Sequence, residues 1–168
     1  FNALKEMSVC PVLEEIVVRA RYREESLQDV PISIAAVSGA DIAEARLNTV
    51  QELEYSVPNL VFGETGSSGE TFIGIRGIGD FSRNIGFDTR VGVYLDGVFA
   101  GQSLAVDQGL VDVKQVEVLR GPQGTLFGKN STAGVLSVVT NAPILGENSG
   151  EFRARGGNLD TLFGSGVV

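Results

Sequence analysis

The sequence predicts an α/β fold in which short strands and short helices are joined by long loops. Apolar residues make up 43% of the chain, which is enough to form a packed core. Glycine contributes 22 of the 168 residues, a share typical of a domain with many tight turns. Several short runs have the alternation of strands, and two segments begin with the residue spacing of a helix N-terminus.

A strand followed by a short helix opens the compact part of the chain. Residues 32–37 (ISIAAV) are apolar and predict the strand. Ser38 and Asp41 then have the spacing of a capping box, in which each side chain bonds the backbone N–H of the other residue. This spacing predicts a short helix over residues 41–46.

A second short helix is predicted directly afterwards. Thr49 and Glu52 repeat the capping-box spacing, and Pro58 ends the helix near Ser56. One face of this helix carries its apolar residues, which are Val50, Leu53 and Val57.

The middle of the chain predicts three stretches of strand separated by polar loops. Residues 71–79 (TFIGIRGIG) are apolar on both sides, as in a strand buried on both faces. Asp96 and Gly97 have the sequence of a type I′ hairpin turn. The alternation over residues 111–120 slips after Gln115, which indicates a β-bulge. The predicted loops are residues 63–70, 79–90 and 99–107.

The pattern changes after Pro143. In residues 151–155 charged side chains alternate with apolar ones, the repeat of an outer-membrane β-strand with one face towards lipid. A turn at residues 158–160 leads into a second strand over residues 161–168. From these residues alone, an ordinary hairpin is an equally good interpretation.

Composition excludes several classes of site. The chain has no His, which excludes a Ser-His-Asp triad and a His-ligated metal site, and its one cysteine, Cys10, has no partner for an internal disulfide. A net charge of −8 disfavours nucleic acid, which requires a basic surface. No apolar run has the length of a transmembrane helix, and the first residues lack the pattern of a signal peptide. We take the chain to be a fragment or a processed piece.

The segment GPQGTLFGKN resembles a phosphate-binding loop only superficially. Gln123 stands where the first glycine of that motif is required, and Asn130 stands where a Ser or Thr hydroxyl would bind magnesium. The sequence therefore predicts no nucleotide site.

Residues 13–18 (LEEIVV) have two interpretations. They form either the first strand of the domain or an extended peptide that adds to the sheet of a partner. The charged residues that follow them favour a detachable peptide, but the residue pattern alone leaves both interpretations open.

Glu117 also has two interpretations, because it stands between Val116 and Val118 in a strand. It is either a solvent-facing strand residue or a buried member of an ion pair with Arg120 or Arg76. A buried charge requires such a partner.

Four segments, in chain order, match one known family. They are LEEIVV, DVPISIAAVSGADI, FIGIRGIG with VGVYLDGVFAG, and VEVLRGPQGTLFGKNSTAGVLSVVTNAP. The first resembles a TonB box, and the others resemble the opening, middle and final region of the plug domain of TonB-dependent outer-membrane receptors. Together they span residues 13–143, so the resemblance covers most of the chain.

The resemblance implies a small mixed β-sheet plug inside a 22-stranded β-barrel. It divides the chain into a lead-in (residues 1–12), a TonB box (13–18), a plug (30–143) and the first one or two strands of a truncated transmembrane barrel (150–168). It also implies the partners: TonB with ExbB and ExbD, the receptor's own C-terminal barrel, the outer membrane and an extracellular ligand, with TonB acting on the periplasmic side.

The resemblance further implies roles for individual residues. The coupling segment, which pairs with TonB, consists of Leu13, Glu14, Glu15, Ile16, Val17 and Val18. In the loop between residues 79 and 90, the candidates for ligand contact are Phe81, Arg83, Asn84 and Phe87. The charged residues expected to seat the plug in the barrel are Arg76, Glu117, Arg120 and Lys129.

Transport is therefore the leading functional hypothesis, and no catalytic residue, cofactor or metal site is expected. The resemblance implies energy-coupled uptake of a scarce nutrient across the outer membrane of a Gram-negative bacterium. A ferric siderophore is the commonest ligand class of the family, so a metal chelate is the expected cargo. The alternative is a periplasmic or secreted ligand-binding domain that acts without a barrel.

Overall fold

A computed structural model of the protein describes residues 16–18, 23, 25–65, 70–79, 89–100, 109–143, 146, 150–157 and 162–167. The first half of the chain contains β1 (Val17–Val18), β2 (Glu25–Ser26), β3 (Ile34–Ser38), α1 (Gly39–Glu44), a 3₁₀ helix (Gln51–Tyr55), β4 (Leu60–Thr65), β5 (Glu70–Ile75) and β6 (Ile78–Gly79). The second half contains β7 (Val91–Leu95), β8 (Val98–Phe99), β9 (Val113–Arg120), α2 (Gly124–Phe127), β10 (Gly134–Thr140), β11 (Glu151–Gly156) and β12 (Leu162–Val167).

The centre of the fold is a five-stranded mixed sheet with the strand order β3-β9-β10-β7-β8. Strands β10 and β7 are parallel, and the other neighbours are antiparallel. A separate antiparallel sheet has the order β4-β5-β6. Short helices, long connections and a mixed sheet confirm the predicted α/β class.

One face of the central sheet forms the first core. Val118 and its cross-strand partner Leu136 are completely buried there. Helix α1 adds Ile42, the 3₁₀ helix adds Leu53, and β5 adds Ile75. Because each of these residues comes from a different element, the first core joins the central sheet, the β4-β5-β6 sheet, α1 and the 3₁₀ helix.

The opposite face forms the second core, which consists of Val18, Val30, Tyr94, Leu119 and Val135. Val135 pairs with Leu119 across β10 and β9, one residue along from the pair that faces the first core. Successive residues of a strand point to opposite faces, so the two cores lie on the two sides of one sheet. The N-terminal residues supply part of the cover of this second face.

The local turn and cap signals are largely confirmed. Ser38 and Asp41 form the predicted capping box of α1. Asp96 and Gly97 join β7 to β8 with φ angles of 48° and 82°, the left-handed conformation that a type I′ turn requires. The register of β9 against β10 shifts beside Lys114, next to the predicted bulge.

The predicted cap of the second helix is wrong. The segment is a 3₁₀ helix whose N-cap is Val50, and no side chain caps it. Glu52 instead accepts a hydrogen bond from the backbone N–H of Asn48, while Thr49 forms a β-bridge with Gly109. The predicted apolar face is nevertheless correct, since Val50, Leu53 and Val57 are all buried.

Two predicted boundaries in the middle of the chain are also wrong. The stretch 71–79 is two strands, because the chain reverses at Arg76 and Gly77, whose φ angles are 52° and 76°. The polar loop predicted over residues 63–70 is shorter, because β4 continues to Thr65 and β5 begins at Glu70. Polar residues extend these strands because each backbone group finds its partner in the adjacent strand.

The last described strands, β11 and β12, form an antiparallel hairpin. Phe152 on β11 is 78% exposed. The predicted turn at residues 158–160 lies outside the described residues. Among the helices that are described, none combines the length and apolarity needed to cross a bilayer.

Candidate functional site

The described part of the coupling segment is docked on the domain. Val17 pairs with Ser26, Val18 pairs with Glu25, and the Leu27 N–H donates to the Ile16 carbonyl at 2.9 Å. Within the described residues β1 pairs with β2 alone, so its other edge is unpaired. The residues therefore form a first strand of the domain, as one of the two interpretations predicts, while Leu13, Glu14 and Glu15 lie outside the described residues.

The two valines of β1 have different environments. Val18 is completely buried in the second core, whereas Val17 is 42% exposed. One side chain thus holds the strand to the domain, and the neighbouring one faces outwards.

Two of the predicted barrel-contact residues meet at Ser33. Arg76, exposed in the turn between β5 and β6, donates from Nη2 to the Ser33 hydroxyl at 3.1 Å. The Arg120 N–H donates to the Ser33 carbonyl at 2.9 Å. The Arg120 Nε is buried and has no hydrogen-bond partner among the described residues, so this atom is a donor available to a further acceptor.

Glu117 is not a solvent-facing residue, because it is only 1% exposed. Its Oε1 accepts a hydrogen bond of 2.6 Å from Gln115 Nε2. Glu117 and Arg120 are three positions apart along β9, so the two side chains point to opposite faces of the sheet. The predicted group of charges is therefore divided, with Arg76 and Arg120 on the side of the first core and Glu117 on the side of the second.

Lys129 is exposed in the loop that follows α2. Two hydrogen bonds hold this loop: Tyr94 donates from its hydroxyl to the Phe127 carbonyl at 2.5 Å, and Ser131 donates to the Gly128 carbonyl at 2.7 Å. Gly128 has a φ of 75°, which lets the chain turn at this point. The loop therefore presents Lys129 from a fixed backbone.

The predicted ligand-contact residues Phe81, Arg83, Asn84 and Phe87 lie outside the described residues, and their role stays a prediction. The ends of their loop are described. Arg90, just before β7, donates from Nη1 to the Gly79 carbonyl at the end of β6, at 3.4 Å. The two ends are thus held close together, as expected of a loop carried by a rigid scaffold.

Two structural features were missed by sequence reasoning. The first is a cluster of three aromatic rings centred on Tyr94, which contacts Phe99 and Phe127. The second is the Asp96 carboxylate, which accepts hydrogen bonds from the Thr140 N–H at 2.8 Å and from its hydroxyl at 2.9 Å. The partners in both features are more than four residues apart in the chain, so no local pattern indicates either one.

The described residues contain no group of three or more His, Cys, Asp or Glu side chains arranged to hold a metal ion.

Comparison with known proteins gives a family match. The family described as TonB-dependent Receptor Plug Domain matches residues 26–135. The pesticin receptor of Yersinia pestis is 31% identical over 128 residues, which are 76% of this chain and 19% of that protein. The vitamin B12 transporter BtuB of Vibrio vulnificus strain CMCP6 is 28% identical over 138 residues, which are 81% of this chain and 22% of that protein.

Solved structures agree with the sequence match. The ferric yersiniabactin uptake receptor FyuA from Yersinia pestis superimposes with a TM-score of 0.62 at 30% identity, over 73% of this chain and 18% of that one. The alcaligin receptor FauA from Bordetella pertussis has a TM-score of 0.68 at 19% identity, over 90% of this chain and 25% of that one, which shows a common fold. The chain therefore spans about a fifth of the length of the relatives it matches.

Proposed function

Because the chain belongs to the family of TonB-dependent receptor plug domains, we propose that it gates energy-coupled uptake of a scarce nutrient and that its first candidate ligand is a ferric siderophore. Its location is the outer membrane, where the receptors of this family reside. The siderophore class is suggested by relatives named as receptors for yersiniabactin and alcaligin, and the B12 transporter is a reason to include cobalamin in any test.

The observation that carries the proposal is the backbone pairing of β1. Its backbone is held by two residue pairs on one edge, and its other edge is unpaired within the described residues. A short strand with an open edge suits β-augmentation, in which a partner protein adds its own strand through main-chain hydrogen bonds. TonB, driven by ExbB and ExbD, is the proposed partner.

The basic residues around Ser33 support a role for the domain inside the polar lumen of a β-barrel. Arg76 is exposed and Arg120 carries a buried Nε with no partner among the described residues. We assign both, together with Lys129, to contacts with carboxylates of a surrounding barrel, and we assign β11 and β12 to the first barrel strands. Polar contacts of this kind are exchanged for water at low net cost, which suits a plug that has to move.

The proposal is tested by replacing Ile16 with Pro in the full-length receptor, with Ile16→Val as the matched control. Proline removes a backbone donor from the strand that would pair with TonB. We expect Ile16→Pro to abolish uptake and to preserve ligand binding at the cell surface, whereas Ile16→Val retains both. A panel of iron chelates and vitamins, supplied to a receptor-deleted strain carrying each variant, identifies the ligand.

The alternative is a ligand-binding domain that acts without a barrel and has no need of TonB. Uptake by Ile16→Pro at the rate of Ile16→Val, or uptake that persists in a strain lacking TonB, would contradict the proposed function and favour this alternative.

A further inference from the structure

Two aspartates hold the end of β10. Thr140 is the last residue of this strand, and the Asp96 carboxylate accepts hydrogen bonds from its backbone N–H at 2.8 Å and from its hydroxyl at 2.9 Å. Asn141 follows, and its Nδ2 donates to Asp112 Oδ1 at 2.8 Å while its backbone N–H donates to the Asp112 carbonyl at 3.0 Å. Two consecutive residues are thus each bonded twice, by two different aspartates.

The two aspartates reach the end of β10 from opposite sides. β7 is parallel to β10, and Asp96 directly follows its last residue, Leu95. β9 is antiparallel to β10, and Asp112 directly precedes its first residue, Val113. The C-terminal end of a parallel neighbour and the N-terminal end of an antiparallel neighbour lie at the same edge of a sheet. The topology therefore builds an exit clamp, which we define as Asp96 and Asp112 bonded to Thr140 and Asn141.

Both aspartates have an uncommon backbone conformation. The φ angle is 48° at Asp96 and 55° at Asp112, in the left-handed region. Aspartate and asparagine enter this region more readily than other side chains do, because they can form local hydrogen bonds. Glycine would adopt the same angles with less strain, but it has no carboxylate. The two positions therefore combine a turn conformation with an acceptor for the end of β10.

The exit clamp lies where the chain leaves the central sheet. Asn141 and the two residues after it are exposed, and the next described strand, β11, begins ten positions later at Glu151. The connection between these points can span at most about 35 Å. The register of β10 against β9 is regular up to Val139 and shifts before Thr140. Without the clamp the connection would start at Val139, and its reach would grow by about 7 Å.

We propose that Asp96 and Asp112 are positioning residues that fix where and in which direction the chain leaves the central sheet, and so set the origin and reach of the connection to β11. This inference rests on the proposed function, in which β11 begins the enclosing barrel, and deepens it. A chain bonded at two consecutive residues from two sides cannot pivot about either of them. The clamp therefore limits how far the domain can be displaced from the strand that follows it.

The experiment measures the spread of the exit point in the full-length receptor. Spin labels are attached at Ala142→Cys, directly after the clamp, and at Tyr55→Cys, which is 89% exposed on the 3₁₀ helix, with Cys10 replaced by Ser. Double electron–electron resonance gives the distribution of the distance between the labels. When both clamp carboxylates are removed, the nearest fixed residue changes from Asn141 to Val139, and the width of the distribution should rise about twofold.

Glycine substitutions remove the carboxylates and keep the turn conformation. Asp96→Gly and Asp112→Gly should each broaden the distribution, and the double variant should broaden it most. The corresponding Asn variants keep an acceptor oxygen and should stay close to the parent protein. Asp29→Gly is the matched control, because Asp29 is an exposed aspartate remote from β10, and it should leave the width unchanged.

Amide exchange reports separately whether the clamp has opened. Exchange at the Thr140 amide should rise about fivefold or more in Asp96→Gly, because its acceptor is lost. Exchange at Val118, in the middle of the central sheet, should stay unchanged. Faster exchange at Thr140 together with an unchanged width at Ala142 would overturn the proposal, since the aspartates would then stabilise the sheet without positioning the exit. If the double variant fails to fold, the single variants decide by the same criterion.

These measurements require neither ligand nor TonB, so they are separate from the test of the proposed function. TonB-dependent uptake together with an unchanged width refutes the positioning role of the aspartates alone. A broadened distribution in a receptor that takes up its ligand without TonB refutes the proposed function and preserves the exit clamp.

Discussion

Replacing Val18 with Ser should undock β1, whereas the same replacement at Val17 should have little effect. The two valines are adjacent in one short strand and differ in burial: Val18 is 0% exposed and Val17 is 42% exposed. Because both variants make the same chemical change in the same strand, any difference between them measures the environment of the side chain. Val17→Ser is therefore the matched control for Val18→Ser.

The magnitude follows from the burial of Val18. Complete burial of a valine side chain stabilises a structure by about 1.5–3 kcal/mol. Serine forfeits most of this free energy and places a hydroxyl in an apolar cluster, where an unmade hydrogen bond adds to the loss. Since about 1.4 kcal/mol changes an equilibrium tenfold, the undocked population should rise by about one to two orders of magnitude.

Hydrogen exchange at Leu27 provides the assay. The Leu27 N–H donates to the Ile16 carbonyl, so this amide is protected only while β1 is docked. Its exchange rate should rise by the same factor as the undocked population. Exchange at Val118, in the middle of the central sheet, should stay unchanged and so exclude global unfolding as the cause.

Equal exchange rates at Leu27 in Val18→Ser and Val17→Ser would refute this reasoning. That result would mean that the backbone ladder to β2, rather than the buried side chain, holds the coupling segment.

Three other substitutions test the packing of the domain. Gly63→Val should destabilise the β4–β5 pair by about 1–3 kcal/mol, because a Cβ at position 63 would lie 2.1 Å from the Phe72 ring; urea titration followed at β4 measures this loss. Asp96→Ala should cost about 1 kcal/mol or more and expose the Thr140 amide to exchange, because this carboxylate accepts both Thr140 hydrogen bonds. Ser38→Ala should destabilise α1 by about 1 kcal/mol, measured as faster exchange in its first turn, because the capping hydroxyl is lost.

Each of these substitutions has its own control. Phe72→Ala should relieve much of the strain in Gly63→Val, and strictly additive losses would contradict the proposed clash. Thr140→Val already lacks one of the two bonds to Asp96, so adding Asp96→Ala to it should cost less than in the parent protein. Ser38→Thr keeps a capping hydroxyl and should retain α1, and a loss equal to that of Ser38→Ala would show that the cap contributes little.

Features encoded by neighbouring residues could be predicted from the sequence. Two such features were predicted correctly: the capping box of Ser38 and Asp41, and the type I′ turn at Asp96 and Gly97. Each depends only on residues within four consecutive positions. Thr49 shows the limit of such signals. Its spacing to Glu52 fits a capping box, but Thr49 forms a β-bridge with the distant Gly109 and Glu52 accepts a hydrogen bond from Asn48 instead, so a long-range contact overrides the local pattern at Thr49.

The arrangement of the candidate site residues could be predicted less well, because it depends on the tertiary fold. The resemblance predicted barrel contacts for Arg76, Glu117 and Arg120. The structure places Arg76 and Arg120 at Ser33 and buries Glu117 on the opposite face of the sheet. Alternation within β9 predicts opposite faces for Glu117 and Arg120. It contains no information on which elements cover each face, because those elements come from distant parts of the chain.

The sequence by itself determined the family, the α/β class, the capping box of Ser38 and the turn at Asp96 and Gly97, since each depends on a local motif or on the order of motifs. Only the tertiary structure decided that Val18 is buried in the second core and that Val17 is exposed. The strand order β3-β9-β10-β7-β8 brings together residues far apart in the chain, and the burial of a side chain is a property of the neighbours that this order assembles.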